Sequence, residues 1–186
     1  MKVEKTILND AFIIEPDIYG DERGFFQEVY HHEKYKNIIG ENLTFVQDNY
    51  SRSQKNVLRG LHFQTSNPQG KLVRVVRGSV FDVAVDLRKN SSTYGHWYGI
   101  ELNEWNKKQF WIPPGMAHGF LVLSDIADFE YKCTEYYDPT SECSLAWNDP
   151  DINIDWGFDL IFNDINFKPI LSQKDQEAKT LKEIIF

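Results

Sequence analysis

Apolar and polar residues alternate with a period of two through most of this chain, and turn-forming residues break the alternation about every ten positions. The pattern predicts short strands at residues 11–15, 25–30, 45–50, 57–63, 72–77, 80–87, 96–102, 109–112, 119–123 and 129–136. So many short strands in succession predict an all-β fold, a sandwich or a barrel. The most regular run is 80–87. Phe81, Val83, Val85 and Leu87 project to one face, which reads as core. Val80, Asp82, Ala84 and Asp86 project to the other, which faces either solvent or a polar cavity. Gly78 supplies a hairpin turn between two runs, since glycine reaches φ > 0 at little steric cost. Helix is expected at 32–39 and in the tail after Pro169, where Ser172 and Asp175 have the spacing of a cap before a helix-forming stretch at 176–183. With no repeat, low-complexity tract or linker, a single domain over residues 1–186 is expected.

Acidic side chains outnumber basic ones, 28 against 20, for a formal charge of −8, which argues against binding nucleic acid through the overall field. A local cluster can still hold an anion, because charges beyond a Debye length of about 8 Å are screened. Arg23, Arg59, Lys71 and Arg74 are the candidates, although Arg74, like Arg77, also reads as a solvated strand-edge charge. Residues 1–10 carry no apolar leader core and no run approaches the length of a membrane helix, so a cytoplasmic chain without membrane contact is expected. Cys133 and Cys143 are too few and too unpatterned for a zinc site or a disulfide framework, which fits free thiols in a reducing compartment.

Candidate chemistry centres on Arg59-Gly60-Leu61-His62-Phe63-Gln64, followed by Lys71. Two neighbouring strands thereby offer a proton acceptor and two cations. That is what removing a proton beside a carbonyl, and stabilising the charge that results, would need. Further on, Pro113-Pro114-Gly115-Met116-Ala117-His118 has the P-x-G-x-x-H arrangement of the second cupin motif. The first cupin motif places a second histidine two residues after the first, and here Gln64 stands at that spacing from His62. A neutral amide in place of an imidazole weakens a first-row metal site, so no metal or other cofactor is expected.

These motifs, with Gly20-Asp21-Glu22-Arg23-Gly24-Phe25-Phe26, Phe45-Val46-Gln47-Asp48-Asn49, Gln69-Gly70-Lys71-Leu72-Val73, Tyr131-Lys132-Cys133-Thr134, Trp147-Asn148-Asp149-Pro150 and Leu171-Ser172-Gln173-Lys174-Asp175, carry a specific resemblance. In order and number they resemble the dTDP-4-dehydrorhamnose 3,5-epimerases, metal-free members of the cupin-like jelly-roll proteins. The resemblance spans most of the chain. It implies a jelly-roll β-sandwich or barrel with a few short helices, one of them near the C-terminus.

The resemblance also implies a reaction. C3 and C5 flank the C4 ketone of a dTDP-linked 4-keto-6-deoxyhexose, dTDP-4-dehydro-6-deoxy-D-glucose, and both are inverted through enolates to give dTDP-4-dehydro-L-rhamnose in dTDP-L-rhamnose biosynthesis. By resemblance His62 is the base, Asp175 fixes its tautomer and orientation, Lys71 stabilises charge on O4, and Tyr131 is the acid on the far face. The substrate-binding set is Arg23, Glu28, Gln47, Asn49, Arg59, Lys71, His118, Glu142 and Lys174, with Tyr137 stacking on thymine. Residue chemistry alone leaves Asp175 as a helix cap, Tyr131 as a core tyrosine, and Glu142 and Lys174 as solvated charges. Gln47 and Asn49 share strand parity, whereas Arg59 and His62 do not, so a kink at Gly60 or a strand end is required between them.

Two departures from the family pattern stand near the tail: Gly157 in Asp155-Trp156-Gly157-Phe158 where proline is expected, and a lengthened stretch at 159–167. A homodimer is implied, with amino-terminal strands exchanged. The rival readings are a related single-centre epimerase or 3,4-ketoisomerase on the same scaffold, and a non-catalytic nucleotide-sugar binding module. Retention of Tyr131 with the His62 and Asp175 pair favours the two-centre epimerase, and retention of all four chemical residues, Lys71 included, counts against the binding module.

Overall fold

The computed structural model describes residues 1–158 and 167–184. The chain runs through β1 (Lys2–Lys5), β2 (Phe12–Glu15), β3 (Ile18–Asp21), β4 (Gly24–Gln27), α1 (His32–Ile39), β5 (Gln47–Gln54), β6 (Leu58–Gln64) and β7 (Lys71–Arg77). It continues through β8 (Ser79–Asp86), β9 (Trp97–Asn103), β10 (Gln109–Ile112), β11 (Met116–Val122), β12 (Ile126–Cys133), β13 (Glu142–Ser144) and α2 (Gln173–Gln176), then a 3-10 turn at Leu181–Glu183. One sheet has the order β1-β2-β10-β7-β12-β5, the other β13-β6-β11-β8-β9, and β3 with β4 forms a separate ribbon. The result is a β-sandwich, as the alternation predicts, and one of the jelly-roll kind, as the resemblance implies.

Among the described residues, three apolar clusters hold the layers. Between the sheets lie Ile13, Val73, Val75, Val80, Ala84, Phe110, Phe120 and Phe129. The larger of these side chains each stabilise the fold by about 1.5–3 kcal/mol on burial. Outside the second sheet, Phe81, Val83, Val85 and Leu87 pack with Leu58, Leu61, Leu145 and Trp156. Outside the first, Tyr35 and Ile39, one turn apart on α1, cover Ile14, Leu72 and Trp111. Both faces of β8 are therefore covered, and Asp82 turns into the sandwich rather than to solvent.

The strands that alternation misses have no one-sided apolar pattern to show. β1 and β3 are exposed at every position, and β13 is three residues long. β4 sits at 24–27, not 25–30, and β12 begins at Ile126 and ends at Cys133, not at 129 and 136. β5 reads Gln-Asp-Asn-Tyr-Ser-Arg-Ser-Gln, an edge strand that runs on to Gln54 because it pairs with β12 along its whole length. Arg74 is not a solvated charge: it lies on the outer face of the first sheet, ion-paired with Glu130 on the neighbouring strand.

The tail departs furthest from expectation, because residues 176–183 are not one helix. α2 stops at Gln176, and Lys179 is drawn instead into backbone hydrogen bonds with Ser144 (3.2 Å) and Ala146 (2.8 Å). Asp149, 2% exposed, then accepts the Leu181 N–H at 2.6 Å. On the other side of α2, Ile170 accepts from Leu58 N–H at 3.0 Å and donates to Asn56 at 2.8 Å. Tertiary hydrogen bonds outweigh local helix propensity here, and the two clamps fix α2 between them. At the first departure Gly157 has φ +66°, a conformation that glycine adopts freely and proline cannot. The lengthened stretch lies, apart from Phe167, outside the described residues.

Candidate active site

β6 breaks its register with β11 at one point: His118 pairs with His62, but Phe120 pairs with Arg59. Gly60 sits in this irregularity with φ +123°, and a Cβ there would lie 2.6 Å from Gly119 Cα, so only glycine fits. This is the expected kink between Arg59 and His62. Arg59 reaches across to Ser53 on β5, donating from Nε to Oγ at 2.9 Å, while its charge acts on Tyr131. Both Arg59 and His62 thereby address the space between the sheets.

His62 Nε2 and Asp175 Oδ1 are 2.6 Å apart across 113 residues of sequence. The clamps on both sides of α2 put Asp175 there, 4% exposed, and Ser172 Oγ donates to its second oxygen at 2.8 Å. Ser172 also accepts the Asp175 N–H at 3.2 Å, so the capping geometry is present as well. Burial raises the Asp175 carboxyl, but the hydrogen bond and charge of His62, with Ser172 and the Gly60 backbone, outweigh it and hold the group below its ordinary value. With Nε2 engaged by a carboxylate, Nδ1 is the nitrogen left to accept a proton.

Lys71, Tyr131, Cys133, Asn49 and Gln47 share the inward face of the opposite sheet, as their registers show: Cys133 pairs with both Lys71 and Gln47, and Tyr131 pairs with Val73 and Asn49. Lys71 is 8% exposed, and its Nζ donates to the His62 carbonyl at 3.4 Å. Burial pushes its ammonium down, against the pull of Cys133, Glu142 and Asp82. Burial also pushes the Tyr131 phenol up to about 12, so it carries its proton at neutral pH. Asn49 Nδ2 donates to Cys133 Sγ at 3.5 Å, and Asn49 Oδ1 accepts from Gln47 Nε2 at 3.0 Å. Both cysteines are free.

A second group ties together at the edge of this set. Tyr137 N–H donates to Gln47 Oε1 at 2.9 Å, Tyr137 Oη donates to Glu142 Oε2 at 2.8 Å, and Lys174 is ion-paired with Glu142. Glu142 and Lys174 are thus not freely solvated charges. Burial raises Glu142, but Lys174 and Tyr137 outweigh it and hold the carboxyl low. Gln64 is spent elsewhere: Nε2 donates to Asn67 O and Tyr136 O, and Oε1 accepts from Asp138 N–H.

Two members of the expected set stand apart. Arg23 is exposed on the β3–β4 ribbon and bonded to Asp21, and Glu28 is paired with Lys34 at 2.7 Å. The ribbon also exposes Tyr19, Phe25 and Phe26. His118, in contrast, is buried beside His62 with Nε2 2.9 Å from Asp82 Oδ2. Sequence reasoning did not single out Asp82, Ser53 or Cys133. For Asp82 the available signal was a carboxylate at an inward position between Val80 and Ala84.

The sandwich with the His62–Asp175 pair is a cupin-like jelly roll, and its similarity to known proteins puts it in the sugar-nucleotide isomerase class. A family model described as dTDP-4-dehydrorhamnose 3,5-epimerase matches residues 5–183. The chain is 53% identical to the dTDP-4-dehydrorhamnose 3,5-epimerase of Salmonella typhimurium (strain LT2), over 100% of this chain and 98% of that protein. It is 52% identical to the same-named enzyme of Escherichia coli (strain K12), over 100% and 97%. The crystal structure of dTDP-6-deoxy-D-glucose-3,5-epimerase from Legionella pneumophila Philadelphia 1, in complex with dTDP-4-keto-L-rhamnose, superposes with a TM-score of 0.92 at 52% identity, covering 99% of this chain and 94% of that one. The chain belongs to the dTDP-4-dehydrorhamnose 3,5-epimerase family.

Proposed function

We propose that this chain, as a single jelly-roll domain, epimerises C3 and C5 of dTDP-4-dehydro-6-deoxy-D-glucose to give dTDP-4-dehydro-L-rhamnose. The observation that carries the reading is the His62–Asp175 pair at 2.6 Å beside the buried Lys71 ammonium. A proton alpha to the C4 ketone leaves only if its electrons can settle on O4 as an enolate. His62 takes the proton, with Asp175 holding the tautomer and stabilising the imidazolium that forms. Lys71 supplies the charge opposite O4, where a desolvated site makes it count for more than it would in water. Tyr131 returns a proton from the opposite face and the configuration inverts. Arg59, Gln47, Asn49, His118, Tyr137, Glu142 and Lys174 bind the nucleotide sugar, and an arginine fork suits a diphosphate.

The test is incubation with dTDP-4-keto-6-deoxyglucose in deuterated water, followed by NMR of the sugar. Deuterium at both C3 and C5 with rhamno-configured product is expected, and prolonged chelation should change neither. Exchange at C3 alone would mean a single-centre epimerase, a moved carbonyl a 3,4-ketoisomerase, and no exchange a binding module. Loss on chelation with recovery on one particular metal would overturn the metal-free reading.

The working unit we propose is a homodimer in the cytoplasm. The exposed aromatic ribbon and the position of Arg23 and Glu28 away from the other binding residues support an arrangement in which the ribbon of a second copy completes each site. No described helix is long and apolar enough to cross a membrane. Arg23→Ala and His62→Ala proteins, each inactive alone, should regain about a quarter of wild-type activity after subunit exchange at equal amounts, since half the dimers are then mixed with one complete site each. No recovery despite proven exchange would place Arg23 in its own subunit's site.

A further inference from the structure

Asp82 projects from β8 into the core between Val80 and Ala84 and is 0% exposed. Its Oδ2 meets His118 Nε2 at 2.9 Å, and its Oδ1 has no protein hydrogen-bond partner among the described residues. A carboxylate taken out of water with one oxygen unmatched is a poor way to stabilise a core; an asparagine of the same shape would cost less. A buried group of this kind calls for a functional explanation.

The explanation lies in the ring it holds. His118 is 6% exposed, stacks on Phe129 with centroids 5.9 Å apart, and pairs in register with His62 across β6 and β11. Burial pushes its imidazole below the ordinary range, Asp82 on β8 opposes this, and Lys71 on β7 and His62 on β6 push the same way as burial. A neutral ring in this place puts its one proton on Nε2, which faces Asp82, and leaves a lone pair on Nδ1. An acceptor nitrogen has nothing to offer a diphosphate oxygen, which carries no proton. In a dTDP-sugar the donors are the hydroxyls and the thymine N3–H, and with the base stacked on Tyr137 a sugar hydroxyl is the partner left.

We infer that Asp82 is a positioning residue: it fixes His118 as the Nε2–H tautomer so that Nδ1 accepts a hydrogen bond from a hydroxyl of the hexose held beside His62. This rests on the epimerase reading and assigns His118, within the binding set, to the sugar.

Nitrogen-15 NMR of histidine-labelled protein, read with kinetics of Asp82→Asn, tests it. In the wild type, His118 should show a neutral Nε2–H ring at pH 8, whatever the protein's activity. In Asp82→Asn the tautomer should shift and kcat should fall about tenfold or more, with dTDP affinity held within about twofold and Tm unchanged or higher. A purely structural carboxylate would give the reverse, a lower Tm with kcat intact, and would overturn the inference. So would a charged or Nδ1–H His118 in the wild type, and that measurement decides alone if the variant does not fold. Wild-type protein with no turnover in the same assay would instead sink the epimerase reading while leaving the tautomer readable.

Discussion

His62→Ala is expected to abolish deuterium exchange at both C3 and C5 while dTDP still binds. Losing a general base typically lowers the rate about 10²- to 10⁴-fold, which corresponds to roughly 3 to 5 kcal/mol of barrier. In the proposed mechanism both centres should fail together, because one imidazole beside one ketone would serve both and O4 would carry the enolate in either case. dTDP should be retained because the Gln47–Tyr137–Glu142–Lys174 network that would meet the nucleotide does not pass through the His62 ring. Asp175→Asn should lower the rate less completely and change its pH dependence. The Asp175 carboxyl is held low in the folded protein, so its contribution to stability is full above the ordinary aspartate range and disappears as pH falls through its folded value. The asparagine variant should lose that part of the acid-side slope in an unfolding titration. Near-normal turnover in His62→Ala would end the proposed mechanism, and an unchanged profile in Asp175→Asn would leave Ser172 capping as the carboxylate's main task.

Tyr131→Phe separates the two faces of the reaction. Deleting the phenol removes the proposed proton donor but leaves His62 and the Lys71 charge, so the enolate can form and be reprotonated from the side it came from. Residual deuterium uptake, chiefly at C3, with inversion reduced by about 10²-fold or more is the expected result. Because burial holds the phenol at about 12, its ionisation should set no limb of the rate profile near neutrality. The ring packs against Phe129 at 6.1 Å and a phenylalanine preserves that contact, so the fold should be unaffected. A variant that inverts both centres at the wild-type rate would make Tyr131 a packing residue.

How much of this was legible in the sequence differs from strand to strand. β7, β8 and β10 were found within a residue or so because an apolar face leaves its period in the chain. β1, β3 and β13 were invisible, since their existence depends on partner strands and not on a face of their own. The kink at Gly60 was foreseeable from parity alone, because Arg59 and His62 cannot face one way on a regular strand. Residue chemistry pointed to His62 and Lys71 as a proton acceptor and a cation, but the expectation that Tyr131 and Asp175 join them came from the family's motifs, where local chemistry read a core tyrosine and a cap.

By itself, then, the sequence determined the β class, the covered face of β8, α1 and the inward parity of Gln47 with Asn49, because each is a local pattern of side chains repeating along the backbone. Tertiary structure alone decided three further things. It ended α2 at Gln176 by claiming Lys179 for the strand beside it, and it set Asp175 against a histidine 113 residues away. It also buried Asp82 where His118 could use it. The physical reason is the same each time: these contacts join distant segments, and nothing in the local period of a chain records which strand will lie next to which.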